Sequence, residues 1–175
     1  MPNYRRADLP GATYFFTVIT ANRQPLLTLE PVRDSLRNAI ALVRRTHPFT
    51  IDAWVLLPDH LHCIWTLQAD DADFSVCWSI IKRLVSQQCR AYTARITSAS
   101  RQKRRELPFW QRRFWEHRIR DESDFERHAD YIHWNPVKHS WVALAADWPY
   151  STFHRYRQQG IYSSTWGGTL RSRHG

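Results

Sequence analysis

Ala53-Trp54-Val55-Leu56-Leu57-Pro58-Asp59-His60-Leu61-His62-Cys63-Ile64-Trp65-Thr66-Leu67 is the stretch from which the fold is read. Two apolar, β-prone runs, 51–57 and 60–67, flank the turn dipeptide Pro58-Asp59, so the segment reads as two strands of one hairpin. Alternate residues of a strand share a face. His60 and His62 therefore point to one side, while Leu61, Cys63 and Trp65 point to the other. Two imidazoles on one face can share a divalent ion. Alone the pattern is weak, because a chain with nine histidines contains a His-x-His by chance in roughly one case of two.

Working outward, Tyr14 to Thr20 is dense in aromatic and β-branched residues and reads as a strand. Val32, Leu36, Ala39, Ile40 and Val43 recur at helical spacing, which predicts a helix over Pro31 to Arg45 with proline near its start. Phe74, Cys77, Ile80, Ile81, Leu84, Val85 and Tyr92 predict a longer helix over about 73–94. After the polar, basic stretch Arg95 to Glu106, aromatic and charged residues interleave from Phe109 to Arg120 and suggest a strand. Ser123 and Glu126 fit a capping box, with Asp121 and Asp124 suited to a helix N-terminus. That helix should end near Asn135, since Pro136 disfavours helical geometry at the residue before it. The resulting order is strand, helix, strand, strand, helix, strand, helix. It predicts an α+β domain: an antiparallel sheet with helices packed on one face, of ferredoxin or RRM type. One domain over residues 1–155 is expected, with 156–175 a loosely ordered tail.

The totals bound the partners. At 175 residues the chain suits one domain with a real core. A net charge of +9 asks for an anionic partner, nucleic acid or a membrane surface. No uninterrupted apolar run exceeds the six residues Trp141 to Ala146, and runs such as Ala53 to Leu57 are too short to span a bilayer, so no membrane role is expected. The N-terminal Met1-Pro2-Asn3-Tyr4-Arg5-Arg6 leads into no secretory h-region, which points to the cytoplasm. Cys63, Cys77 and Cys89 are odd in number and form no CxxC pair, so they read as buried reduced thiols.

Three features bear on chemistry. Besides the histidine pair, Tyr131 and Asn135 stand four apart on one helix face. A phenol can serve as a covalent nucleophile, and an amide oxygen is a fair ligand for a hard cation. The plainer reading is a packed tyrosine and a capping asparagine. Residues 95–120 hold nine Lys or Arg against two acids, so +7 of the chain's +9 sits in one stretch. Phe109, Trp110, Phe114 and Trp115 lie among these cations. Cations for phosphates and aromatics for unstacked bases are what single-strand binding requires. This marks Lys103, Arg104, Arg105, Arg112, Arg113, Trp115 and Arg118 as candidate DNA contacts.

With those residues in view, the chain resembles the REP-associated tyrosine transposases, relatives of the single-tyrosine HUH transposases. The resemblance is carried by Tyr4-Arg5-Arg6, Thr13 to Val18, Ala53 to His62, and Phe114 to Arg120. It continues in Asp130-Tyr131-Ile132-His133-Trp134-Asn135-Pro136-Val137-Lys138-His139 and in Asp147 to Arg155. It implies the HUH nuclease fold, with His60 and His62 as the paired histidines, Tyr131 as nucleophile and Asn135 as third metal ligand. Many relatives carry a second tyrosine where this chain has Trp134, which leaves Tyr131 alone in the motif. Arg5, Arg6, Lys138, His154 and Arg155 fall in the shared blocks and join the expected DNA contacts. The resemblance further implies Mg²⁺ or Mn²⁺, and single-stranded or hairpin DNA of the REP type as substrate. It implies a 5′-phosphotyrosine intermediate, a monomer in preference to a dimer, and a place in the cytoplasm at the nucleoid. Two other classes are compatible with the residues: a hairpin-binding RRM-like module without catalysis, and a hydrolase that activates water on the metal.

Overall fold

The computed structural model describes residues 10–94 and 108–168. Strands β1 (Thr13–Ile19), β2 (Phe49–Leu56), β3 (His60–Leu67) and β4 (Trp115–Arg118) form one antiparallel sheet in the order β2-β3-β1-β4. Helices α1 (Glu30–Thr46), α2 (Phe74–Gln88), α3 (Arg90–Ala94), α4 (Glu122–Lys138) and α5 (Phe153–Gln158) complete it. The hairpin and the βαββαβα order are as the sequence reading expects, and the class is α+β.

Alternation along the strands divides the core in two. Tyr14, Phe16 and Val18 of β1 and Leu61, Cys63 and Trp65 of β3 pack with the apolar stripes of α1 and α2. Trp65 is the centre of that layer, stacked on Phe49 at 3.9 Å and on Trp78 at 4.3 Å. Phe15, Val55 and Ile64 face the other way and pack under Ala129, Ile132 and Val137 of α4 and Phe153 of α5. Helices thus lie on both faces: α1 and α2 cover one as expected, and α4 crosses the other. A bulge in β2 between Ile51 and Ala53 keeps both core faces filled along the strand. All three cysteines are free and buried, and burial pushes the Cys77 thiol up to about 12.

Several boundaries move. The expected strand 109–120 is only the four residues of β4. Phe109 and Trp110 are both buried, which a half-exposed strand of period two cannot provide, and Trp110 keeps a single bridge to Thr20. The 73–94 helix breaks at Cys89 into α2 and α3. Asp121, not Ser123, caps α4, with its carboxylate accepting from the Asp124 amide at 2.7 Å. The helix also runs through Pro136 to Lys138. Proline forgoes its own amide bond, but the turn closes around it through His139 N–H to Asn135 O at 3.0 Å and Trp141 N–H to Pro136 O at 2.9 Å.

The stretch expected as a loose tail is docked as far as it is described. Tyr162 is buried against Phe153, Tyr156 and Trp166, and its hydroxyl donates to Asp130 at 2.7 Å. The aromatic faces available in a sequence with nine tryptophans and seven tyrosines supply the reason. Residues 169–175 lie outside the described residues. Among the described residues no helix is long and apolar enough to cross a membrane.

Candidate active site

The Pro58-Asp59 turn sets the first residues of β3 in register, and alternation then puts His60, His62 and Ile64 on the α4 side. Both imidazoles are buried, and their ring centroids lie 4.9 Å apart. Antiparallel pairing sets Thr17 of β1 opposite His62, and Thr17 Oγ1 holds His62 Nδ1 at 2.7 Å. This turns His62 Nε2 toward α4, where it is buried without a hydrogen-bond partner. Asp59 does the same for the other ring: its carboxylate lies 2.6 Å from His60 Nδ1. Burial opposes the charge on Asp59, yet the hydrogen bonds from His60 and Arg23 hold its carboxyl below the ordinary value. An ionised carboxylate only accepts, so His60 Nδ1 is the donor and Nε2 faces the helix.

From that helix Asn135 Oδ1 approaches His60 Nε2 to 3.3 Å, and Tyr131 lies one turn earlier with its ring 5.2 Å from that of His62. His60, His62, Asn135 and Tyr131 therefore meet in one cleft between β3 and α4. Burial, then the charges of His60, His139 and Lys138, hold His62 well below the usual histidine value. It is neutral at pH 7, the state in which imidazole binds metals. The orphaned, buried Nε2 is the direct sign that this nitrogen suits a ligand from outside the chain.

The sequence reading expects Lys138 on DNA. In the structure its exposed ammonium donates to the Tyr131 hydroxyl at 3.2 Å and lies 4.7 Å from the ring centroid. Continuation of α4 through Pro136 is what carries it there. Phe15, Thr17, Trp115, Arg127, His128 and Tyr131 line a cavity of about 450 Å³ beside the Tyr131 ring. Trp115 is 60% exposed, an open ring beside that cavity.

Of the other expected DNA contacts, Arg112, Arg113 and Arg118 are exposed. His154 and Arg155 lie elsewhere, at the β2 edge, and serve the fold: His154 Nε2 meets Trp148 O at 2.7 Å, and Arg155 donates to the Ile51 and Asp52 carbonyls. Arg5, Arg6, Lys103, Arg104 and Arg105 lie outside the described residues.

Sequence reasoning missed a second polar cluster. His117 of β4 and Asp124 and His128 of α4 offer ligand atoms within 4.8 Å of one another, close enough to share a cation. The Asp124 carboxylate already accepts from His117 at 2.9 Å, the Arg120 amide at 3.0 Å and Arg127 at 3.2 Å. Its present work is to tie β4 to the first turn of α4. Thr17 and Asp59 were also missed. Asp59 adjoins His60 in sequence, whereas Thr17 is 45 residues from His62 and needs the strand order to be found.

A family model described as Transposase IS200 like matches residues 9–135. The chain is 45% identical over 170 residues to the REP-associated tyrosine transposase of Escherichia coli (strain K12), covering 97% of this chain and 93% of that protein. A relative from Haemophilus influenzae is 39% identical over 172 residues, 96% of this chain and 94% of its own. A solved structure of a REP-associated tyrosine transposase bound to a REP hairpin matches with a TM-score of 0.80 at 45% identity, covering 96% of this chain and 92% of that one.

Proposed function

The chain belongs to the REP-associated tyrosine transposases of the IS200-like transposase family, a DNA-cleaving enzyme class, and from that premise we propose that it cuts and rejoins single strands beside a hairpin of REP type, with Tyr131 as the nucleophile. The observation that carries this reading is the convergence of Tyr131, His60, His62 and Asn135 in one cleft, with His62 Nε2 buried and unpartnered.

The residues divide the work. Trp115 and the exposed Arg112, Arg113 and Arg118 hold the DNA, the cations on phosphates and the ring on an unpaired base. Lys138 fixes the phenol oxygen before attack. The Tyr131 oxygen then attacks phosphorus. The bond from phosphorus to the 3′-oxygen breaks, the phenol proton passes to solvent, and the departing oxygen takes up a proton to become a free 3′-OH. The product is a 5′-phosphotyrosine, and because the link keeps the phosphodiester's energy, another 3′-OH can attack it and rejoin strands without ATP. His60, His62 and Asn135 suit Mg²⁺ or Mn²⁺, which when bound neutralises charge that develops on the phosphate. Thr17 and Asp59 orient the two imidazoles from behind, as outer-shell partners of metal ligands do.

Tyr131→Phe tests the proposal. It keeps the ring, the three ligands and the basic surface, so hairpin binding should hold while the covalent adduct and the cleaved product vanish. Parent and variant are incubated with Mn²⁺ and labelled hairpin DNA, then denatured. Label travelling with the parent protein alone supports the tyrosine nucleophile. Cleavage by both proteins without an adduct means that water attacks, and no cleavage by either means a binding module.

A further inference from the structure

A second concave site lies away from the histidine cleft. Helix α1, the outer side of β2 and the segment 149–155 enclose a groove of about 730 Å³, within the usual range of about 300–1,000 Å³ for binding sites. Four arginines line it, Arg33, Arg37, Arg44 and Arg155, and its described lining contains no Asp or Glu. Trp54 and Tyr150, both half-buried, present rings within the same wall. The Arg33 guanidinium lies 4.5 Å from the Tyr150 ring centroid, and Arg33 Nε is buried without a hydrogen-bond partner.

Each part of this wall limits the occupant. Guanidiniums in a wall without a carboxylate select a polyanion: Arg44 and Arg155 are partly engaged by the Phe49, Ile51 and Asp52 carbonyls, Arg37 shares only an exposed pair with Asp34, which is weak, and Arg33 Nε has no partner. Flat aromatic and guanidinium surfaces select flat apolar groups. A strand added to the β2 edge is excluded, because that edge is already used by Leu56 N–H to Tyr150 O, Thr152 N–H to Trp54 O, and the Arg155 bonds to Ile51 and Asp52. Phosphates joined to stackable rings satisfy all three conditions. The rings must be unpaired, since bases within a duplex have their faces covered by one another.

We propose that this groove is a second nucleic-acid site, which takes a single-stranded DNA segment distinct from the one being cut. Trp54 and Leu56 face the α1 side, whereas His60 and His62 face α4, so the two sites lie on opposite faces of the sheet. A strand seated on Tyr131 would have to round the β2 edge to reach Trp54. The groove therefore holds DNA that flanks the hairpin, or a second strand awaiting transfer.

The test uses the full chain, EDTA to prevent cleavage, and a 15-residue oligothymidine carrying 5-iodouracil. Irradiation followed by peptide mapping should place adducts on Trp54 or Tyr150. Adducts confined to Phe15, Trp115 and Tyr131, or none at all, overturn the proposal. In a second arm, Arg33→Ala with Arg37→Ala should weaken oligothymidine binding several-fold. It should also lower the slope of log K against log salt by roughly 1.4, at about 0.7 for each phosphate no longer neutralised. Arg37→Glu, at an exposed position, makes the same test should the double variant melt early. Unchanged affinity and slope in a folded variant also overturn the proposal. The Tyr131→Phe result has no bearing on these readouts, so the two readings fail separately.

Discussion

Tyr162→Phe removes one oxygen from a chain of hydrogen bonds whose direction the structure determines. The Asp130 carboxylate can only accept, so the Tyr162 hydroxyl donates to it at 2.7 Å. Tyr162 must then accept from His133 Nδ1–H at 3.0 Å. His133 is buried, and burial, followed by the charges of Arg155 and His154, pushes it down to about 3. It therefore carries a single proton at pH 7, and its Nε2 accepts from Thr152 Oγ1 at 2.8 Å. Thr152 accepts in turn from the Trp54 amide at 2.9 Å. The relay joins β2, α4 and the docked tail through His133.

Without the hydroxyl, exposed Asp130 is rehydrated at little cost, but His133 Nδ1–H is left buried and unpaired. Moving that proton to Nε2 exchanges an orphaned donor for an orphaned acceptor and does not remove the penalty. Such a group costs about 1–3 kcal/mol. The phenyl ring keeps its stacking on Trp166 at 4.2 Å and on Phe153 at 5.3 Å, so no cavity term is added. A domain of this size loses about 2–4 °C in Tm per kcal/mol, so a fall of roughly 2–12 °C is expected by calorimetry or far-UV melting. A Tm within about 1 °C of the parent would show that the tail contributes nothing through this relay.

Thr17→Val removes the group that orients His62 while keeping its shape, and Mn²⁺ affinity by calorimetry should fall about 10–100-fold; equal affinity would show that His62 needs no orienting partner. Asp124→Asn should destabilise the fold at pH 7. Burial alone would raise the Asp124 carboxyl, but the hydrogen bonds from His117 and the Arg120 amide hold it well below the ordinary value. A depressed folded-state value gives stability that is complete above about pH 4 and lost as pH falls further, so the gap between parent and variant should narrow in acid. A gap independent of pH in urea titrations would refute that account. Lys103, Arg104 and Arg105, replaced together by alanine, should lower the salt slope of hairpin binding by roughly 0.9 for each phosphate no longer neutralised; weaker binding with the slope intact would assign them another role.

What could be read in advance follows from which signals are local. The hairpin, helices α1 and α2 and the strand 14–20 announce themselves by period within a dozen residues. The shared face of His60 and His62 and the single turn between Tyr131 and Asn135 are consequences of the same two periods. Phe109 and Trp110 are adjacent and both buried, so neither period describes them. Pro136 lies inside α4 because the turn beyond it closes on Asn135 and Pro136 carbonyls, which a one-residue rule does not see. Thr17 and Tyr162 meet their partners 45 and 29 residues away, contacts that exist only once strand order and tail docking are known.

The division of the site between two elements explains why so much of the chain outside the cleft is spent on α4. His60 and His62 ride on a sheet strand, while Tyr131 and Asn135 ride on a helix laid across it, so their separation is set by the docking of helix on sheet. A displacement of about 1 Å at reacting atoms can cost about 100-fold in rate. Two sets of bonds oppose such a slip, and a third, within the helix, holds the phenol. Asp124 ties the first turn of α4 to His117 of β4, His133 ties its outer face through Thr152 to the β2 backbone, and Lys138 fixes the phenol from the last turn. The residues of α4 that face the histidines, 131, 135 and 138, alternate with those that face its supports, 124, 130 and 133. Tyr162 touches no reacting atom, yet it completes the middle tie. Its loss should therefore be felt as slower adduct formation near the lowered Tm, while hairpin affinity, which the proposed function assigns to the exposed basic surface, should stay close to that of the parent.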